Sequence, residues 1–152
     1  MIYKLSIEDI NTHKNAIKEL LVLTYISNFK IDDKIAKEIC DEKIDLLEDY
    51  IKDGSATIFA YIEESNLLAF TWVYRHSFFN EQRLHINQIA VNPNSQGKGL
   101  AKLLIKKVND YAKELKIYTI DLFVSEYNEN ALNLYEKQGF LTERRYMKKE
   151  VR

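Results

Sequence analysis

The sequence predicts an α/β fold, with one mixed β-sheet flanked by helices and a single domain spanning residues 1–152. Apolar residues recur at helical spacing in four segments, and between them lie short runs rich in β-branched and aromatic residues. The resulting order, β-α-α-β-β-β-α-β-α-β, is typical of α/β domains. A length of 152 residues, 46% hydrophobic and 30% charged, also suits one compact domain.

The first third of the chain predicts a strand and two helices. The strand "IYKL" is followed by "SIED", which has the Ser-x-x-acid pattern of a helix N-cap. Helical patterns then extend from Ile10 to Thr24 and from Ile35 to Ile51, and Gly54 is placed to end the second helix. Cys40, the single cysteine, lies beside this second pattern, so we expect a packed core thiol and neither a disulfide nor a cysteine-based zinc site.

Extended runs dominate the middle of the chain. The runs "ATIFAYI" and "LLAFTWVY", joined by the polar "EESN", predict an antiparallel hairpin, with "RLHINQIAV" as the next strand. An amphipathic helix from Leu100 to Leu115 then exposes a row of lysines. The strand "YTIDLFV", the helix "NENALNLYEKQ" with Gly139 at its C-terminus, and a closing strand or hairpin "FLTERRYMKKEV" complete the predicted order.

Charge and hydropathy limit the partners. Twenty-two basic and twenty-three acidic residues leave a formal charge of −1, which disfavours a nucleic-acid partner. The longest uncharged run is too short and too polar to span a bilayer, so we expect a cytoplasmic protein with no membrane partner. We expect the chain to be a monomer or a homodimer. The three histidines, His13, His76 and His85, show no metal-ligand spacing, and no metal is expected.

A glycine-rich loop gives the first indication of a ligand. The stretch "VNPNSQGKGLAK", Val91 to Lys102, contains two of the four glycines and joins a strand to a helix within a β-α-β crossover. Helix N-termini at such loops bind anions. Lys98 and Lys102 oppose the helix dipole there, so an anion would compensate them. We therefore expect a phosphate or pyrophosphate.

Two familiar phosphate motifs fit poorly. The Walker A pattern is absent because Gly97 and Gly99 are too close together and Ala101 stands where a magnesium ligand would be needed. A dinucleotide-binding fingerprint is a nearer match, since Asp121 follows at about the expected interval. However, the turn is long, and too few residues follow Ala101 for a dinucleotide-binding sheet. A nucleotide-dependent oxidoreductase is therefore the function that the sequence supports least.

Two segments resemble the GNAT acetyltransferase superfamily. The run Gln96-Gly97-Lys98-Gly99-Leu100-Ala101 resembles the family's Q/R-x-x-G-x-G/A pyrophosphate loop, and "NENALNLYEKQGF" resembles its N-x-x-A-x-x-x-Y-x-x-x-G-F segment. The resemblance covers about residues 84–140. It implies the GNAT fold and acetyl-CoA as co-substrate.

The resemblance also implies roles for individual residues. The main chain of Ile89, Ala90 and Val91 would bind the pantetheine arm, and the loop from Gln96 through Lys102 would bind the pyrophosphate. Asn128 would contact the cofactor, and Tyr135 would be the general acid that protonates the departing CoA thiolate. From the residues alone, an asparagine that opens a helix is usually an N-cap and a tyrosine in an amphipathic helix is usually core.

The general base is less well defined by the sequence. Arylalkylamine acetyltransferases, which this segment resembles, carry a histidine close to the position of His85, and an imidazole titrates near neutral pH. A strict strand alternation would put His85 on the same face as Asn87, Ile89 and Val91. Asp121 within "TIDLFV" and a water-mediated route remain alternatives.

The acceptor is expected to be a primary amine. Trp72, Tyr74, Phe78 and Phe79 are candidates for an aromatic wall, with Glu81 as a counter-charge, in a pocket framed by the first two helices and the loop "RHSFFNEQ". Ribosomal-protein N-terminal acetyltransferases carry glutamate where this chain has Phe123, so a small molecule is favoured over a peptide. We predict direct transfer in a ternary complex. The alternatives are a catalytically silent acyl-CoA sensor and a peptide N-terminal or lysine acetyltransferase.

Overall fold

A computed structural model describes all residues from 1 to 152 and contains five strands and four helices. The strands are β1 (Ile2–Lys4), β2 (Thr57–Glu63), β3 (Asn66–Phe78), β4 (Glu81–Val91) and β5 (Ile120–Leu122). The helices are α1 (Ile7–Phe29), α2 (Asp33–Lys52), α3 (Leu100–Glu114) and α4 (Glu129–Lys137). The strands form one sheet in the order β1-β2-β3-β4-β5, antiparallel except for the parallel pair β4 and β5. The predicted fold class and the β-α-β crossover are confirmed.

Three of the four helices begin at a side-chain cap. Ser6 and Asp9 form the predicted reciprocal capping box at the start of α1, and the Asp32 carboxylate accepts from the Ile35 N–H at the start of α2. Asn128 caps α4 in the same way. None of the helices combines the length and apolar character that crossing a membrane requires.

Tight turns join the long strands. Glu64 and Ser65 between β2 and β3, and Phe79 and Asn80 between β3 and β4, all have positive φ. Two consecutive residues of this kind give the turn that suits the twist of a hairpin. The segment "RHSFFNEQ", predicted as a loop, therefore forms the end of β3, a two-residue turn and the start of β4.

Apolar side chains fill two layers, one on each face of the sheet. Helices α1 and α2 pack on one face around Ile17, Leu21 and Trp72, and the Cys40 thiol is fully buried there, as predicted. Helix α3 packs on the other face through Leu104 and its apolar neighbours. These are referred to below as the α1/α2 face and the α3 face.

A one-residue bulge in β4 reverses part of the expected alternation. Trp72 pairs with Gln88 while Val73 pairs with Ile86, so Asn87 is an extra residue. Ile86 packs on the α3 face, which leaves His85 on the α1/α2 face. Beyond the bulge Ile89 and Val91 pack on the α3 face. The prediction that His85 shares a face with Ile89 and Val91 is therefore wrong.

The closing strand predicted over residues 140–151 is also absent. The segment after Phe140 has no regular secondary structure, and its large apolar side chains are exposed. The physical reason is that these apolar residues do not alternate with polar ones, so a strand here could not bury one face. Those exposed residues are Leu141, Tyr146, Met147 and Val151.

Candidate functional site

Three neighbouring strands bring polar side chains together on the α1/α2 face. Tyr74 of β3 pairs with His85 of β4, and His85 pairs with Asp121 of β5. Paired residues point to the same face, so these three side chains lie side by side. His76, two residues beyond Tyr74, joins them. Adjacent strand positions thus assemble a cluster that residue spacing along the chain does not show.

The carboxylate of Asp121 is the centre of this cluster. It lies 2.8 Å from His85 Nδ1 and 2.9 Å from His76 Nε2. Although burial disfavours the charged form, the hydrogen bonds from His85 and His76 hold the pKa of Asp121 below its ordinary value. The carboxylate can only accept, so His85 Nδ1 carries the proton that it donates. The neutral imidazole therefore keeps a free lone pair at Nε2.

Arg83 is a buried cation that sequence reasoning did not identify. It makes a two-pronged ion pair with Glu143 at 2.7 and 2.8 Å and a single one with Glu81 at 2.8 Å, and it lies 3.4 Å from Asp121. Its guanidinium stacks on the Phe78 ring at 4.0 Å. The only indication in the sequence was that this arginine belongs to the predicted strand "RLHINQIAV". Its effect is to hold the start of the C-terminal segment against the sheet.

A cavity of about 430 Å³ opens beside this cluster. Four of its lining residues are aromatic, and His85 and Asp121 contribute its polar wall. Trp72, expected in the aromatic wall, lies instead in the core and is 4% exposed. Glu81, expected as a counter-charge, is paired with Arg83. The lining residues are Tyr74, His76, Ser77, Phe78, Phe79, His85, Asp121, Phe123 and Arg144.

The glycine loop gives α3 an uncapped N-terminus. Gly97 and Gly99 have φ of +82° and +76°, a backbone region that favours glycine, and Gly99 is the N-cap residue. No side chain caps α3 and no acidic residue stands in its first turn. The first-turn N–H groups of Leu100, Ala101 and Lys102 precede the first helical bond, which Leu103 donates to Gly99. These groups, with the exposed Lys98 and Lys102, could hold a phosphate.

The end of β4 has main chain free on one side. The parallel ladder between β4 and β5 consists of three pairs and ends at Ile86 and Leu122. Ile89, Ala90 and Val91 continue to pair with β3 but have no partner on the β5 side. A ligand with amide groups could therefore add here as an extended strand.

Asn128, predicted to contact the cofactor, and Tyr135, predicted to be the general acid, are both positioned by α4. Asn128 is the N-cap: its Oδ1 accepts from the Ala131 N–H at 3.3 Å, and its Nδ2 donates to Asn28 at 2.8 Å. Tyr135 is mostly buried and packs edge-on against Phe140, with ring centroids 5.6 Å apart. Burial raises the pKa of the Tyr135 phenol. Since no buried polar side-chain atom lacks a partner, the Tyr135 hydroxyl, which makes no hydrogen bond to the chain, reaches solvent.

Asn28 is a further residue that the sequence did not indicate. Its main-chain carbonyl accepts hydrogen bonds from the hydroxyls of Ser125 and Tyr127, in addition to the side-chain bond with Asn128. The end of α1 is thus tied to the loop between β5 and α4. About a hundred residues separate the partners, so no local pattern reports this contact.

Comparison with known proteins identifies the family. The acetyltransferase (GNAT) family model matches residues 15–140. The spermidine N(1)-acetyltransferase of Vibrio cholerae is 29% identical over 138 residues, which cover 90% of this chain and 72% of that protein. The mycothiol acetyltransferase of Propionibacterium freudenreichii is 28% identical over 88 residues, 58% of this chain. The matched part of the chain spans only 28% of that relative's length.

Solved structures agree on the fold. A predicted acetyltransferase from Clostridium acetobutylicum, determined with acetyl-CoA, superposes with a TM-score of 0.78 at 18% identity and covers 99% of this chain and 95% of its own. An aminoglycoside acetyltransferase from an uncultured soil metagenomic sample, determined with sisomicin, gives 0.74 at 17% identity, with 100% and 95% covered. At these identities the likeness concerns the fold alone.

Proposed function

The chain belongs to the acetyltransferase (GNAT) family, and we propose that it is an acetyl-CoA-dependent N-acyltransferase that acetylates a primary amine held beside His85. The observation that carries this proposal is the pair of His85 and Asp121 in the wall of an aromatic cavity. A cavity of about 430 Å³ suits a small molecule or the end of a side chain, and a small molecule is the favoured acceptor.

Acetyl-CoA would bind along the end of β4 and the start of α3. The uncapped N–H groups after Gly99 would hold the pyrophosphate, and Lys98 and Lys102 would screen its charge. The free main chain of residues 89–91 would bind the pantetheine amides. Gln96 begins the glycine loop and Asn128 is the N-cap of α4, and we assign both to cofactor binding.

The acceptor amine must lose a proton before it can attack, because it arrives as an ammonium ion. His85 Nε2 has the lone pair to accept that proton, and Asp121 holds the ring in the required tautomer. The amine nitrogen then forms a bond to the thioester carbonyl carbon. As the resulting intermediate collapses, the carbon–sulfur bond breaks and the CoA thiolate leaves.

Tyr135 would return a proton to the leaving sulfur. Its raised pKa keeps the phenol protonated at neutral pH, and its hydroxyl is not engaged by the chain. A phenol gives up its proton when a thiolate develops beside it.

Direct transfer in a ternary complex is supported over a covalent acyl-enzyme. Cys40, the single thiol in the chain, is fully buried in the core, and burial raises its pKa. It is therefore neither accessible nor present as the nucleophilic thiolate. We infer that the acetyl group passes to the amine without an intermediate carrier.

The test is a CoA-thiol release screen with acetyl-CoA and four acceptor classes: polyamines, amino sugars, small monoamines and lysine peptides. One class should release thiol well above acetyl-CoA hydrolysis. His85→Gln should lower kcat by roughly 10²–10⁴ with acetyl-CoA affinity unchanged. His13→Gln, which alters a histidine on α1 outside the cavity, is the matched control. Tight acetyl-CoA binding with no acceptor in any class would instead favour the silent sensor.

A further inference from the structure

We infer that His76, His85 and Asp121 form a binding site for a divalent transition-metal ion such as Zn²⁺, and that occupation of this site stops acetyl transfer. The first part is independent of the enzyme's reaction. The second part rests on the proposed role of His85 as the general base.

The three side chains already converge. Each offers one ligand atom, and these atoms all lie within 4.8 Å of one another. His85 Nδ1 and His76 Nε2 both point at the Asp121 carboxylate, at 2.8 and 2.9 Å. An ion bound at about 2.0–2.2 Å from each ligand would replace the two protons in these hydrogen bonds. Because the ligands come from three adjacent strands of one sheet, only small side-chain rotations are needed.

The donor set indicates the kind of metal. Two imidazole nitrogens and one carboxylate oxygen suit Zn²⁺, Co²⁺ and Ni²⁺, whereas Mg²⁺ and Ca²⁺ prefer oxygen ligands alone. Three protein ligands leave at least one coordination position for water or a small ligand, as in open zinc sites. That position would face the cavity, because all three residues line it.

The surrounding charges tolerate a dication. Arg83 approaches Asp121 at 3.4 Å, but its shorter ion pairs are with Glu143 and Glu81. Three carboxylates therefore surround one buried guanidinium. Arg144, which lines the cavity, is exposed and lies over the Phe78 ring at 4.8 Å. Asp121 thus keeps negative charge available to a metal ion.

Metal binding would change the tautomer of His85. In the hydrogen-bonded cluster the Nδ1 proton is donated to Asp121 and the Nε2 lone pair is free. A metal ion at Nδ1 binds the lone pair of that nitrogen, so the single N–H proton of the neutral ring must move through solvent from Nδ1 to Nε2. The ring can no longer accept a proton from the amine. Acetyl transfer should stop although acetyl-CoA still binds.

The experiment uses untagged chain, so that no added histidines compete. Isothermal titration with ZnCl₂ and visible absorbance with CoCl₂ should each give one ion per chain. His76→Asn should weaken metal binding by more than the roughly 10–100-fold typical of losing an outer-shell partner. His13→Asn should leave the metal affinity unchanged. Zn²⁺ should inhibit turnover, excess acetyl-CoA should not relieve the inhibition, and EDTA should reverse it. The His76→Asn turnover, compared with its own metal-free rate, should resist Zn²⁺.

Each contrary result has a defined meaning. No ion bound by the wild-type chain, or equal affinity in His76→Asn, overturns the metal site and leaves the proposed acetyl transfer untouched. An ion bound at this site without inhibition overturns the tautomer argument and removes His85 as the base. If circular dichroism shows that His76→Asn is unfolded, His76→Gln provides the same comparison.

Discussion

Asp121 determines the chemistry of the cavity at the scale of single residues. One carboxylate accepts from two imidazoles, so it fixes the orientation of both rings and the protonated nitrogen of each. Without it, His85 would be a buried imidazole with no partner that selects its tautomer. Asp121 is therefore a positioning residue in the proposed reaction.

Tyr135→Phe tests the proposed acid with the smallest available change. The variant keeps the ring and its contact with Phe140 but loses the proton, so kcat should fall by roughly 10²–10⁴. The thermal midpoint should change little, because the hydroxyl makes no hydrogen bond within the chain. Acetyl-CoA affinity should also persist. Measuring kcat, affinity and midpoint on this variant is sufficient, and near-normal kcat would remove Tyr135 from the mechanism.

The pH dependence of kcat provides an independent test of Tyr135. The proposed role needs the protonated phenol, and burial raises its pKa above the usual value of about 10. The Tyr135 phenol is therefore protonated at pH values below its raised pKa, and it loses its proton only as the pH rises through that pKa. In the range where the protein stays folded, kcat should show no alkaline decline below about pH 10. A decline near pH 8 or 9 would assign the acid to another group.

At the scale of a single element, the N-terminus of α3 is the proposed binding site of the pyrophosphate. Gly99→Asp should abolish acetyl-CoA binding, since it adds a negative charge where the pyrophosphate is proposed to lie. The substitution also introduces strain at φ +76°, so Gly54→Asp, at φ +78° and equally free of nearby atoms, is the matched control. Each change should cost about 1–2 kcal/mol of stability. Calorimetry should show lost affinity only for Gly99→Asp; unchanged affinity there would place the cofactor elsewhere.

The two lysines of the glycine loop should act through their charge. Replacing Lys98 and Lys102 together by glutamine should weaken acetyl-CoA binding, and the loss should shrink as salt screens the interaction. The control is Lys106 and Lys113 replaced by glutamine, because both are exposed on the same helix beyond its first turn. Titrations from about 0.01 to 1 M salt decide between the possibilities. An equal loss at every salt concentration would indicate a folding defect.

At the scale of the whole molecule, the C-terminal segment is the least supported part of the chain. Glu143 holds it to Arg83, but residues 145–152 are exposed throughout. Limited digestion with trypsin should therefore cut first at Arg145, Lys148 and Lys149, before sites within the helices. Intact-mass measurements over time would identify the first cut. Protection of these three sites would show that another surface covers the segment in solution.

Most of the fold could be predicted from the sequence because its elements follow local rules. Capping at Ser6, helical periodicity and the glycine loop each depend on residues a few positions apart. Local rules could not predict that four residues meet at the cavity, because strand pairing across up to 45 residues sets their contacts. These residues are Tyr74, His76, His85 and Asp121. The bulge at Asn87 likewise depends on which strand lies opposite. The prediction of a closing strand failed because the apolar residues after Phe140 do not alternate with polar ones, so a strand there could not bury one face.

The extra residue at Asn87 has a consequence for how an enzyme of the proposed kind can change its acceptor. By reversing the alternation, it puts His85 and the cavity on one face of the sheet while Ile89 and Val91 turn their side chains to the other. Residues that shape the acceptor cavity can then be replaced without touching the layer beneath the proposed cofactor track. In the proposed enzyme, one inserted position thus puts the residues that would bind the donor and those that would select the acceptor on opposite faces of the sheet.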